Sequence, residues 1–210
     1  MKRFLIPSAI LLSLFACTPK PPIYVVTTAS ADSLRPLRDA AFRTGPVAKI
    51  DLHDFKRAFV KKYGSEAAFI EGFQKDLAQS LSEGVATGAG STYALELPRL
   101  DVDSVTIGYW TSMGGGPHMP PQQVYHSTEY CVITLDYRVK DASGRELLGG
   151  TVREKTAKGE FLHPNQSKLA NAVQGVRAHL VDYLRGRLAP ENISAPEAPK
   201  AAPAPAPPAK

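Results

Sequence analysis

Residues 130–139, YCVITLDYRV, alternate without a break: Cys131, Ile133, Leu135, Tyr137 and Val139 fall on one face, and Tyr130, Val132, Thr134, Asp136 and Arg138 on the other. That period of two is what a strand with one face in a core and one in water requires. Asp141-Ala-Ser-Gly144 supplies turn residues, and ELLGGTVREKT follows, so the segment predicts an antiparallel hairpin. A sheet with one apolar face must be covered by another layer.

Two stretches have the spacing to cover it. Phe69, Phe73, Leu77 and Leu81 recur every four residues, with Glu71 and Lys75 outward, which predicts a helix from Ser65 to Gly84. Leu169, Val173, Val176, Leu180, Leu184 and Leu188 trace a second stripe, with Asn165 or Ser167 as its cap and Arg185 and Arg187 in its last turn. IYVVTT (23–28) reads as a short strand, and residues 29–46 as irregular. Val47–Phe55 alternates like a strand, yet Phe55, Phe59 and Tyr63 have helical spacing, so a strand followed by a helix near Asp54 is expected. Tyr93, Leu95 and Leu97, then Val105, Ile107 and Tyr109, predict one long bent strand or two, with Pro98 marking an edge or a bulge. The expected fold is α+β, an antiparallel sheet with two amphipathic helices packed on one face, within residues 23–190.

The ends of the chain bear on where it works. Lys2 and Arg3 precede an apolar run from Phe4 to Ala16 that is too short to span a bilayer and reads as a signal peptide over residues 1–16. Leu14-Phe15-Ala16-Cys17 resembles the lipobox of bacterial lipoproteins. The resemblance implies cleavage before Cys17, acylation of that cysteine and a short tether, residues 17–22, holding the domain near the membrane. An ordinary signal peptide with Cys17 as a neighbour is the alternative. By the same resemblance, Thr18 after the cysteine favours the outer membrane over the inner. Cys17 and Cys131 are the only cysteines, so lipidation leaves Cys131 without an intrachain partner, and its strand position predicts burial. Residues 191–210 read as a disordered tail, since thirteen of the last sixteen residues are Ala or Pro and have nothing large to bury. Removing Lys2 and Arg3 from 25 cations leaves 23 against 20 acids, too weak and dispersed a surplus to suggest nucleic acid.

MGGGPHMPP (113–121) interrupts two strand-like runs. A phosphate cradle needs a helix after its glycines and free amides, and Pro117, Pro120 and Pro121 remove donors. His118 and His126, with His53, Asp101 and Asp103 elsewhere, match no metal-ligand spacing, so no metal or cofactor is expected. Neither GxSxG nor HExxH occurs. What remains is a long hairpin tip, either a plain turn or a contact surface for a partner or membrane made of Trp110, Met113, His118, Met119 and Tyr125.

The lipobox and the order of elements loosely resemble small periplasmic accessory lipoproteins of lipopolysaccharide assembly or transport. They imply a non-enzymatic, lipid-anchored envelope subunit with a protein partner. Outer-membrane activators of peptidoglycan synthases are the second reading. A periplasmic hydrolase using Asp101 and Asp103 as acid and base is a third.

Overall fold

The computed structural model describes residues 24–27, 34–83, 91–113, 122–157 and 164–195. Cys17, His118, Met119, residues 84–90 and the expected tail beyond Ala195 lie outside them. Seven strands form one sheet: β1 (Val25–Thr27), β2 (Ala41–Val47), β3 (Ile50–Asp51), β4 (Thr92–Met113), β5 (Gln122–Lys140), β6 (Glu146–Thr156) and β7 (Ile193–Ser194). Three helices, α1 (Lys56–Tyr63), α2 (Glu66–Ser82) and α3 (Pro164–Leu184), pack against it. The strand order is β2-β4-β5-β6-β1-β7, with β3 beside β4 beyond the end of β2.

The fold is α+β as expected, but the sheet is mixed. β4, β5 and β6 are antiparallel, whereas β2 and β3 run parallel to β4, and β7 runs parallel to β1. Parallel neighbours need a crossover, and here α1 and α2 lie between β3 and β4 in the chain. The helix expected near Asp54 and the one expected from Ser65 are both present as separate elements, so three helices rather than two pack against the sheet. Gly64 takes φ 80°, a conformation open mainly to glycine, and ends α1, while Ser65 Oγ accepts from the Ala68 amide at 3.1 Å and starts α2. Residues 41–46, read as irregular, belong to strand β2, because parallel pairing to β4 overrides a local sequence that holds Gly45 and Pro46. Of the strand expected over Val47–Phe55, Val47 ends β2 and Ile50–Asp51 form the short β3, and a 3-10 turn at His53–Phe55 leads into α1. Asn165 and Ser167 lie inside the first turn of α3, which opens at Pro164.

The core is a single cluster under the helices. Cys131, Ile133, Leu135, Tyr137 and Val139 of β5 are buried, as their alternation predicts, against Phe59, Phe69, Phe73, Leu77 and Leu81 from α1 and α2 and Leu169, Val176, Leu180 and Leu184 from α3. Val132, assigned to the outer face, is buried too. The rest of that face is charged and solvated, with Lys140 to Glu96 at 2.7 Å and Arg99 to Asp51 at 2.7 Å. Where β1 crosses β6, a Cβ on Gly150 would lie 2.2 Å from the Val26 carbonyl oxygen, so only glycine lets the strands approach.

Pro98 sits at a bulge. Glu96 pairs with Arg138 and Arg99 with Asp136, so Leu97 and Pro98 together oppose Tyr137 alone. The extra residue switches the parity of β4: Leu95 and Leu97 are buried before it, Leu100 and Val102 after it. Positions 105, 107 and 109 therefore belong to the face away from the helices, and not to the face of Leu95 and Leu97.

Arg185 follows α3 and is buried, not exposed in a last turn. Its Nη1 donates to the carbonyls of Leu37, Arg38 and Ala40 at 3.2, 2.7 and 2.9 Å, and its Nη2 to the Leu81 carbonyl near the end of α2. One guanidinium thus satisfies carbonyls from two distant segments. Burial pulls its pKa down, with Arg187 adding to the effect. Finally, Ile193 and Ser194 pair with Val25 and Val26, so residues 191–194, assigned to the tail, belong to the folded domain.

Candidate functional site

β4 and β5 continue far past the body of the sheet. The last pair that β3 makes with β4 is Asp51–Asp101, and the last that β6 makes with β5 is Thr156–Cys131. Beyond those points β4 and β5 pair only with each other among the described residues, from Val105–Tyr130 out to Met113–Gln122. The result is a two-stranded ribbon whose two backbone edges pair with no other described strand. A ribbon of this kind is marginal on its own in water.

Its side chains are unusual for a solvated hairpin. Of the five large hydrophobic residues exposed among those described, four lie here: Ile107, Tyr109, Trp110 and Tyr125; the fifth is Val60 on α1. Trp110 is 65% exposed. The rings form two cross-strand pairs on opposite faces. Trp110 and Tyr125 stand 5.0 Å apart between centroids, and Tyr109 stacks on His126 at 5.3 Å. His126 Nε2 also lies 2.8 Å from Thr111 Oγ1. Gly108 makes room for the first pair, since a Cβ there would fall 1.7 Å from the Tyr125 hydroxyl oxygen. The Tyr125 ring lies over the bare glycine backbone, as aromatic residues do beside strand glycines.

Of the residues proposed for contact from sequence, Trp110 and Tyr125 come together on the ribbon. Met113 closes its β4 strand opposite Gln122. His118 and Met119 lie outside the described residues. Ile107, Tyr109, Val124 and His126 were missed as surface. The signal that finds them is charge: from Ser104 to Thr128 the sequence has no Lys, Arg, Asp or Glu, the longest such run in the chain. Charge returns at the base. Glu129 pairs with Lys168 at 3.2 Å, and the Lys155 ammonium sits 4.6 Å over the Tyr130 ring.

The candidates for chemistry are placed differently. Asp101 is held by His53 at 2.9 Å and Arg99 at 3.3 Å, while Asp103 accepts from the Ser104 amide at 2.7 Å. Residues two apart do share the outer face, as the sequence suggested, but these two carboxylates lie on the solvated side of the sheet. Neither lines the hollow of about 320 Å³ between α1 and the start of α3, bounded by Asp54, Arg57, Lys61 and Asn165. Among the described residues no three His, Cys, Asp or Glu side chains converge as metal ligands. Cys131 is fully buried, and burial pushes its thiol up to about 12, which makes it a poor nucleophile.

No protein-family model and no curated protein sequence matches this chain.

Proposed function

We propose that this chain is a non-enzymatic accessory protein of a bacterial envelope, anchored through an acylated Cys17 in the outer membrane and acting through the aromatic ribbon of β4 and β5. The observation that supports this reading is the concentration of exposed rings on one uncharged projection, on a body whose other surfaces are ordinary and charged. Lipid anchoring would hold that projection at a fixed surface, each buried methylene of an acyl chain adding ~0.8 kcal/mol. The bulged, parallel-flanked sheet serves as the rigid base from which the ribbon extends.

The test has two arms. Cys17→Ala should leave unprocessed or soluble precursor and abolish labelling by radioactive palmitate; unchanged processing and membrane partitioning would remove the anchor from the reading. A photocrosslinking residue at Tyr109 should give adducts in intact cells, whereas the same residue at Val60, equally apolar and exposed but on the body, should not. Adducts of equal yield from both positions would mean the ribbon has no special contact role.

A further inference from the structure

We propose that the ribbon is a membrane-inserting β-hairpin, completed by the ribbons of other copies of this chain into a closed transmembrane barrel. The inference rests on the reading of the ribbon as the contact element and names its partner: the hydrocarbon layer of a bilayer.

Length is the first argument. Beyond the last pair with β6, Val105–Met113 and Gln122–Tyr130 pair over nine residues on each strand. At ~3.4 Å per residue that is about 31 Å, and a tilt of ~40° lowers it to about 23 Å, close to the ~25 Å apolar band of membrane barrels. Strands that span a bilayer have about 9–11 residues.

Alternation is the second. On the face away from the helices β4 carries Val105, Ile107, Tyr109 and Thr111, and β5 carries Tyr130, Thr128, His126 and Val124 opposite them. The other face carries Thr106, Gly108 and Ser112 with Glu129, Ser127 and Gln123, and the Trp110–Tyr125 pair near the far end. One face is suited to lipid and the other to a water-filled interior. On the lipid face the ionic residues stop at Asp103, the level at which a headgroup layer would begin, and Glu129, opposite Thr106, belongs to the interior face.

The backbone supplies the third argument, and it requires further copies. A hairpin has two open edges, and unpaired amides and carbonyls are not tolerated in hydrocarbon. Pairing each edge with the next copy satisfies them, and the ring must close. Each copy gives two strands, so the smallest barrel, of about eight strands, takes about four copies. No helix among the described residues is long and apolar enough to cross a membrane.

The full chain, reconstituted in vesicles of phosphatidylethanolamine and phosphatidylglycerol containing entrapped carboxyfluorescein, tests this. Release of dye, rising more steeply than linearly with protein concentration, and oligomers in SDS that dissociate on boiling are the expected results. Ile107→Lys puts a charge on the lipid face and should lower release at least tenfold. Thr106→Lys, one residue away on the interior face, should keep release and shift ion selectivity toward anions in planar bilayers. An unchanged thermal transition shows that each variant has folded. Sealed vesicles with the wild-type chain, or equal loss from both lysines, overturn the barrel. If vesicles stay sealed while the Tyr109 probe marks another polypeptide, the barrel fails and the contact reading stands; sealed vesicles without adducts defeat both.

Discussion

β4 and β5 live in two environments along one continuous ladder. In the body, residues 95–102 and 131–139 are flanked by other strands and covered by helices, and their inward side chains are almost wholly buried. In the ribbon, residues 105–113 and 122–130 keep the same antiparallel register, no other described strand flanks them, and contacts with the body are confined to the base, where Lys168 meets Glu129 and Lys155 lies over Tyr130. The hydrogen-bond ladder is common to both, so it cannot account for the difference in stability between them. Burial does: a side chain that leaves water contributes ~25 cal/mol per Å² of apolar area, and the ribbon's rings have largely not left it. The body is therefore held by packing. The ribbon is held by cross-strand pairs alone, which are worth roughly 0.2–1 kcal/mol each.

The comparison breaks most visibly by deleting methyl groups on each side of the boundary. Leu135→Ala, fully buried, should cost about 3 kcal/mol in urea unfolding, in the range usual for core cavities. Ile107→Ala on the ribbon should cost less than about 0.5 kcal/mol. Comparable losses would show that the ribbon is part of the cooperative unit. A smaller effect is expected from pH and belongs only to the body. Burial raises Cys131 and Tyr63 to about 12 and Tyr137 higher still. The folded chain then keeps protons that the unfolded chain releases above about pH 9 for the thiol and about pH 10 for the phenols, so stability is intact at pH 7 and falls as pH rises through that window. The urea midpoint should decline from about pH 9 upward, and less so in Cys131→Ala; a midpoint flat to pH 11 would contradict the burial. The smallest effect is local. Tyr125→Ala uncovers Gly108 and removes the Trp110 contact, so amide exchange in the ribbon should accelerate while the global transition moves by less than about 0.5 kcal/mol.

Much of the body was legible because its signals are local and repeat. The alternation of β5, the four-residue spacing of Phe69 through Leu81 and the stripe on α3 each follow from a face that must be apolar. What sequence did not disclose depends on partners distant in the chain. β2 carries Gly45 and Pro46 and has no strand signature; its pairing with β4 makes it a strand. The bulge at Pro98 was suspected, but its effect on parity was not, so Val105, Ile107 and Tyr109 could not be put on their true face from spacing alone. Arg185 looked like a charge suited to a helix end, and only the tertiary fold gives it four carbonyl acceptors. For the ribbon, aromatic residues near a Gly/Pro loop pointed to Trp110 and Tyr125. The absence of charge over 104–128 is plain in the sequence and would have pointed to its whole length.

β1 consists of three residues near the start of the described chain, and its neighbours are β6 and β7, with Val25 opposite both Val152 and Ile193. A polypeptide emerges from the ribosome, or from a translocation channel, beginning with its first residues. For this chain, β1 has to wait while more than a hundred residues appear before its first partner exists, and longer for its second. Arg185 imposes the same delay on the loop around Leu37 and on the end of α2. Loops this long close slowly, so the nascent chain should remain open and accessible to chaperone and protease until nearly all of it has emerged, and then close as a unit.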